Sequence, residues 1–383
     1  ITFVKLRASW GQNGSTSNLG NYSYSNSLTS NSIGYSYYTT QLIYAALARP
    51  NQVANNELKW ETSEQLDLGF DVRAFNDRLT LGFDWYKKTT KDLIVSSITI
   101  PYEVGNSSAP LNAGNVENRG FEIELGWKDK PNKDFSYSIN ANLATLKNEV
   151  TYLDSRVSNG RIEGATRIAG YGSITAFEVG HPVWYFRGYE VDHLDDKGAP
   201  VYVDQDNSGS IDDEDRVEIG KPMPDFTFGL TASLNYKNFD FLIFGSGSIG
   251  NDAFMAYEYH DISYTLKELY DQRWTADGST NRKYAAPTQT GVDKYAMSDA
   301  YVFDASFFRI KQIQLGYTFP QTLTKKAFID KCRLYVSLDD FFTFTSYPGL
   351  DPEVSASATS GMGVDFGNYP MTKKVVFGLS VTF

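Results

Sequence analysis

Hydrophobic residues recur at every second position along much of this chain. Phe226, Phe228, Leu230, Ala232, Leu234 and Tyr236 share one parity, and Thr227, Gly229, Thr231, Ser233 and Asn235 share the other. The last segment repeats the pattern, with Met371, Val375, Phe377, Leu379, Val381 and Phe383 set against Thr372, Lys374, Gly378, Ser380 and Thr382. Six more stretches alternate in the same way: Leu66–Val72, Leu79–Trp85, Phe121–Trp127, Tyr137–Leu143, Ile313–Phe319 and Leu334–Phe344. Weaker versions lie at Val4–Trp10 and Phe239–Ile243. Side chains in an extended strand point alternately to its two faces, so a period of two predicts strands with one apolar face each. Ten strands are expected, most of them long enough to cross a bilayer when tilted.

The connections alternate as well. Short turns are expected at Phe75–Arg78, Lys128–Asp134, Lys237–Asn238 and Pro320–Lys331, the last with room for a helical turn. Long loops are expected at about 12–58, 96–115, 151–222, 251–303 and 347–369, with a helix over Tyr264–Trp274 inside the fourth. A meander with short turns at one end and long loops at the other is the pattern of an outer-membrane barrel. Aromatic residues near strand ends, among them Trp10, Trp85, Trp127, Tyr317 and Phe383, suit interfacial girdles. A soluble sandwich or surface lectin alternates too. Against it stand polar faces rich in charge and amide (Asp67, Asp71, Glu122, Glu124, Gln312, Gln314), as a wet lumen requires, and a loop asymmetry more regular than a Greek key gives.

Composition narrows the choice. In 383 residues no apolar run approaches about 18, so no transmembrane helix is expected, while a barrel exposes only alternate residues to lipid and needs no such run. A net charge of -11 without a basic stripe speaks against nucleic acid as a partner. That acidity is local: residues 190–218 hold eleven Asp and Glu against Lys197 and Arg216. It points to a cation site or an acidic surface outside the cell. One cysteine, Cys332, excludes an internal disulfide framework. The chain opens on Ile1–Val4, which has the pattern of a strand interior, so it is expected to be a portion of something longer.

Local chemistry centres on Asp204–Asp215 (DQDNSGSIDDED). Asp204, Asp206, Ser208, Gly209, Ile211 and Asp212 match a calcium loop at positions 1, 3, 5, 6, 8 and 9. Ca²⁺ takes six to eight oxygens, for which Asp204, Asp206, Ser208, the Ser210 carbonyl, Asp212 and Asp215 are the candidates; Asp215 replaces the usual glutamate at position 12. The competing reading is a solvated acidic turn. A tyrosine-rich loop, with Tyr22, Tyr24, Tyr35, Tyr37 and Tyr38, offers flat amphipathic rings for stacking on sugars or gripping peptides, or for packing on other loops. Gly245–Gly250 (GSGSIG) fits a dinucleotide fingerprint only in spacing, since no βαβ unit surrounds it; its small residues are expected to leave lumen space or allow a bend. His181, His193 and His260 lack metal spacing, and Glu122/Glu124 read as lumen lining. No catalytic constellation is expected, and no cofactor besides calcium.

Eight ordered motifs resemble the SusC/RagA family of TonB-dependent outer-membrane transporters. They are Leu6–Gly14 (LRASWGQNG), Leu58–Asp71, Asn112–Gly126 (NAGNVENRGFEIELG), Tyr202–Gly220, Pro224–Tyr236, Phe307–Pro320 (FFRIKQIQLGYTFP), Arg333–Glu353 and Val376–Phe383. They span nearly the whole chain. The resemblance implies a 22-stranded antiparallel transmembrane β-barrel of which residues 1–383 form the last ten strands, with the N-terminal plug, its TonB box and the earlier strands absent from this chain. It further implies long loops outside the cell, a SusD-like surface lipoprotein as lid, TonB as energy source, and import of a glycan or peptide across the outer membrane of a Bacteroidetes-type bacterium. The stretch 186–220 becomes an extracellular acidic insert, shorter than usual over Phe186–Val203. The loop 251–303 is only loosely similar, so the resemblance carries no particular substrate.

Overall fold

In the computed structural model the described residues are 1–19, 25, 28–36, 42–50, 55–95, 110–164, 167–168, 172–256, 267–277, 283–286, 292–353 and 361–383, with backbone alone for 28–36 and 42–50. Ten strands form one antiparallel meander in chain order: β1 (Phe3–Ser15), β2 (Glu61–Ala74), β3 (Leu79–Val95), β4 (Leu111–Asp129), β5 (Phe135–Thr145), β6 (Phe226–Tyr236), β7 (Phe239–Ile249), β8 (Phe307–Thr318), β9 (Lys331–Thr345) and β10 (Lys374–Thr382). These are the ten strands of the periodic segments. A further strand, Lys147–Leu153, pairs with the outer part of β4. Met371 falls outside β10, so the final strand is shorter than its alternation suggested. Antiparallel order places every short turn at one end of the sheet and every long loop at the other.

Register carries the alternation across the whole sheet. One apolar row runs Leu6, Phe70, Phe83, Ile123, Leu143, Phe228, Gly247, Phe308 and Phe344 through nine strands. On the opposite face a polar row runs Lys5, Asp71, Gly82, Glu124, Asn142, Gly229, Ser246, Arg309 and Thr343. A one-residue slip anywhere would exchange the two faces, so this continuity pins the register. Among the described residues no second sheet covers the apolar face: Leu230 is 45% exposed and Phe377 81%. A sandwich would have buried both.

The register shifts at the loop end of β3, between Thr90 and Ile94, and the alternation breaks again at Lys311. There β8 holds one extra residue and β9 two, Asp340 (φ 57°) and Phe341, so that Ile310 pairs with Phe342 and Gln312 with Asp339. The bulge lets Ile310 and Ile313 share the apolar face although their sequence parities differ. Gly245 and Gly247 also lie on that face, not toward a lumen. A Cβ on Gly245 would stand 2.6 Å from the Phe308 ring, and one on Gly247 2.8 Å from the Phe228 ring. These glycines make room for the Phe228–Phe308 stack, with ring centroids 5.7 Å apart.

The densest packing lies in the loops. Ile174, Phe186, Tyr189, Phe254, Ala256, Met297 and Val364 form one buried cluster, drawn from the three long connections that follow β5, β7 and β9. A second cluster joins Met255, Leu269, Phe303 and Tyr347. Small sheets tie these loops together. One orders Val217–Gly220, Tyr185–Gly188, Thr175–Glu178 and Arg161–Glu163; another joins Val302–Asp304, Asp252–Met255 and Val364–Asp365. Of the helix expected over Tyr264–Trp274, residues 264–266 lie outside the described residues and the rest holds a helix over Lys267–Asp271; the expected turn after Pro320 is a helix over Gln321–Thr324. No helix of the described residues is long and apolar enough to cross a membrane.

Candidate functional site

Two regions bring chemistry together: the polar face of the wall and the acidic loop. On the polar face, Arg7 reaches Asp84 at 2.6 Å and Asp71 at 3.1 Å, joining three strands through one guanidinium. Open depressions of about 640 and 470 Å³ flank this group, lined by charges of both signs including Lys5, Arg73, Lys88, Glu122 and Glu124. Glu122 and Glu124 therefore sit as wall lining, as expected. Toward the loop end, Arg309 is nearly buried; it donates to Thr343 Oγ1 at 2.9 Å and pairs with Asp351 at 2.6 Å and with Glu353. Lys311, the bulged residue, adds a 2.6 Å contact to Glu353. The bulge thus supplies a second cation that fastens the last long loop against the wall.

The acidic loop folds as a tight turn. Asn207 (φ 58°) and Gly209 (φ 83°) adopt left-handed backbone, which turns the chain sharply enough for amides to face inward. The Asp204 carboxylate accepts from the Ser208 and Gly209 amides at 3.1 and 2.8 Å, and Asp206 accepts from Ser208 at 2.9 Å. Asp215 is wholly buried and accepts from the Gln205 and Asp212 amides at 2.8 and 2.7 Å. The Ser208 amide and hydroxyl hold the Asp206 carboxyl below the usual range.

Carboxylate oxygens of Asp204, Asp206 and Asp215 lie within 4.8 Å of one another. No Lys, Arg or His of the described residues pairs with any of the three. Three carboxylates at this distance, one of them buried, repel one another, and amide donors, a shared proton or a cation can each offset that. The donors are all oxygen, which suits a hard divalent ion. Of the six candidate ligands, three converge. Ser208 Oγ donates to the Ser210 carbonyl at 3.0 Å, so both stay at the turn. Asp212 departs from the expected set: its carboxylate caps the short helix Asp213–Asp215 by accepting from the Glu214 amide at 2.9 Å.

Asp213 on that helix faces the other way, into a cluster that sequence reading did not anticipate. Its carboxylate accepts from Arg187 and Arg216, each at 3.1 Å, and from Arg161. All three guanidiniums are close to buried. Burial alone would push the Asp213 carboxyl up; hydrogen bonds and charge from Arg187 and Arg216 outweigh it and hold it below the usual range. Burial, and then the neighbouring Arg187, push Arg216 down. One short helix therefore offers Asp215 to the acidic cluster and Asp213 to the basic one. Arg161 and Arg187 lie 52 and 26 residues away in sequence, beyond any local motif.

His181 contacts Glu218 at 2.6 Å and stacks on Tyr185, while His193 contacts Asp192 at 2.8 Å; His260 lies outside the described residues. The tyrosines Tyr22, Tyr24, Tyr37 and Tyr38 also lie outside them. Tyr35 is placed by its backbone alone, on the strand Leu28–Ser36 paired with Leu42–Pro50.

The sheet order, the asymmetric connections and the uncovered apolar face find their counterparts among known proteins. The profile of the TonB dependent receptor-like β-barrel family matches residues 2–339. A TonB-dependent receptor of Formosa agariphila is 32% identical across the whole chain, which corresponds to 40% of that protein. The TonB-dependent receptor SusC of Bacteroides thetaiotaomicron is 30% identical, again across the whole chain and 38% of its own length. Among solved structures, the RagAB peptide importer in its open-open state shares the fold, with a TM-score of 0.79 over 99% of this chain and 40% of that one, at 24% identity. The chain spans about two fifths of the length of these relatives. It belongs to the TonB-dependent receptor β-barrel family, and its ten-stranded sheet is a stretch of such a barrel wall.

Proposed function

We propose that this chain is part of the wall and extracellular loops of a SusC/RagA-type importer in the bacterial outer membrane. Such an importer admits an oligosaccharide or oligopeptide too large for passive pores. A SusD-like surface lipoprotein acts as its lid, and TonB drives it through a plug domain. The observation that carries this reading is the two-faced sheet: an unbroken apolar surface left uncovered and a charged surface opposite, with every long loop at one end. That combination suits lipid outside and water inside. In-frame deletion of the gene in its native host should abolish growth on one class of polymer, oligosaccharide or oligopeptide, and pull-down of the tagged transporter should retain a surface lipoprotein. Extraction of the protein without detergent would overturn the reading.

We further propose that Asp204, Asp206 and Asp215, with the Ser208 hydroxyl and the Ser210 carbonyl, hold a structural Ca²⁺. The support is the convergence of three carboxylates around an inward-facing buried Asp215 with no counter-charge of their own. Bound calcium would offset most of the cluster's negative charge and stiffen the loop. Millimolar Ca²⁺ should raise the midpoint of thermal unfolding of this loop region by roughly 3–5 °C over chelator-treated protein, and D204N/D206N should remove the increase. Calorimetry showing no heat at millimolar Ca²⁺ would sink the assignment.

A further inference from the structure

The short-turn end of the sheet has a charge opposite to that of the chain. The four turns, with their flanking residues, contain eight Lys and Arg against four Asp, although the whole chain carries -11. Two of those acids are already engaged: Asp77 accepts from the Thr2 hydroxyl at 2.6 Å and Asp129 pairs with Arg78 at 3.1 Å. All seven turn lysines are exposed and form no ion pair among the described residues, and five of them, Lys130, Lys133, Lys237, Lys325 and Lys326, lie beyond the strand ends. They are spread over three separate turns, strung along the rim.

Directly beside them on the apolar face runs a band of aromatic rings. Phe135, Tyr236, Phe239 and Tyr317 stand opposite one another on four successive strands. Phe239 and Tyr317 have ring centroids 4.8 Å apart, and Lys237 Nζ lies 5.4 Å from the Tyr236 ring. Phe328, in the last turn between β8 and β9, is 90% exposed, and Phe383 84%. Aromatic rings at this position settle at headgroup depth. Cations immediately beyond them stand at the level of lipid phosphates, where a lysine attracts an anionic headgroup.

We propose that this rim binds anionic phospholipid of the leaflet at the short-turn end. The inference rests on the outer-membrane reading above. A lipid leaflet fits better than an acidic protein, because the charge follows the edge of the sheet and borders the aromatic band, instead of gathering on one turn. The rim then holds the barrel at a fixed depth and gathers a shell of acidic lipid around its inner mouth.

Native mass spectrometry of the complete transporter tests this, using equal amounts of phosphatidylglycerol and phosphatidylethanolamine with identical acyl chains. The wild type should retain phosphatidylglycerol over phosphatidylethanolamine by about threefold or more, and the preference should fall at high salt. K130Q/K133Q/K237Q/K325Q/K326Q should bring the ratio close to one, whereas K59Q/K197Q at the long-loop end should leave it unchanged. Equal retention of both lipids by the wild type overturns the proposal, as does a preference that survives the five substitutions or retention of an acidic periplasmic protein with no lipid preference. Migration of the unheated protein on gels reports separately on the barrel. Loss of its heat-dependent shift would count against the membrane reading and not against the lipid preference.

Discussion

Asp213 shows how a single carboxylate can decide the order of a loop body. Three nearly buried guanidiniums face it, and without it their charges would face one another. D213N should loosen the region 185–220 by about 2 kcal/mol, discounted because the carboxylate is half exposed; hydrogen exchange there would read it. The pH dependence has a definite sign. A carboxyl held below its ordinary value stabilises the fold above that value, and the stabilisation is lost as pH falls through the lowered one. Protection of this region should therefore decline below about pH 4 in the wild type, and by less in D213N. If both lose protection equally, Asp213 is not the group responsible.

At the level of strands, close approach replaces charge as the deciding quantity. Gly245 lies under the Phe308 ring, with the Arg309 carbonyl 3.1 Å from where its Cβ would be. Gly245→Val should cost about 1–3 kcal/mol through overpacking, measured by urea unfolding of the lipid-embedded transporter. Gly82→Val on the interior strand β3, where the nearest atom would stand 3.6 Å from the added Cβ, is the control. All ten strands were legible in the sequence because one face of each meets a single apolar environment, and a period of two is the direct imprint of that. The parity change at Lys311 was not legible: a bulge leaves both flanking stretches regular and removes only their phase relation. Nor could the loop core be read. Tyr189 meets Met297 and Phe254 meets Val364 across more than 100 residues, and neither pair belongs to a periodic segment. The acidic loop lies between these cases. Its spacing announced Asp204, Asp206 and Asp215, while the approach of Arg161 and Arg187 to Asp213 depended on tertiary placement.

For the whole molecule, the sidedness of the sheet makes the sharpest demand. Leu230 sits mid-strand on the apolar face between Ala141 and Gly245, and Thr231 beside it points to the polar face. Leu230→Arg should destabilise the barrel by about 2–4 kcal/mol if that face meets hydrocarbon, while Thr231→Arg should be nearly neutral. Denaturant midpoints in liposomes distinguish the two, and equal costs would mean that the faces are not divided between lipid and water.

The shared core of the three loops has a mechanical consequence for the wall below. Those loops close the hairpins β5–β6, β7–β8 and β9–β10, so six consecutive strands have their outer ends pinned in one packed block. Sheets bend cheaply by small changes in strand twist, but only while strand ends are free to splay. An arc fastened in this way keeps a single curvature at that end, and any widening there falls to strands outside it.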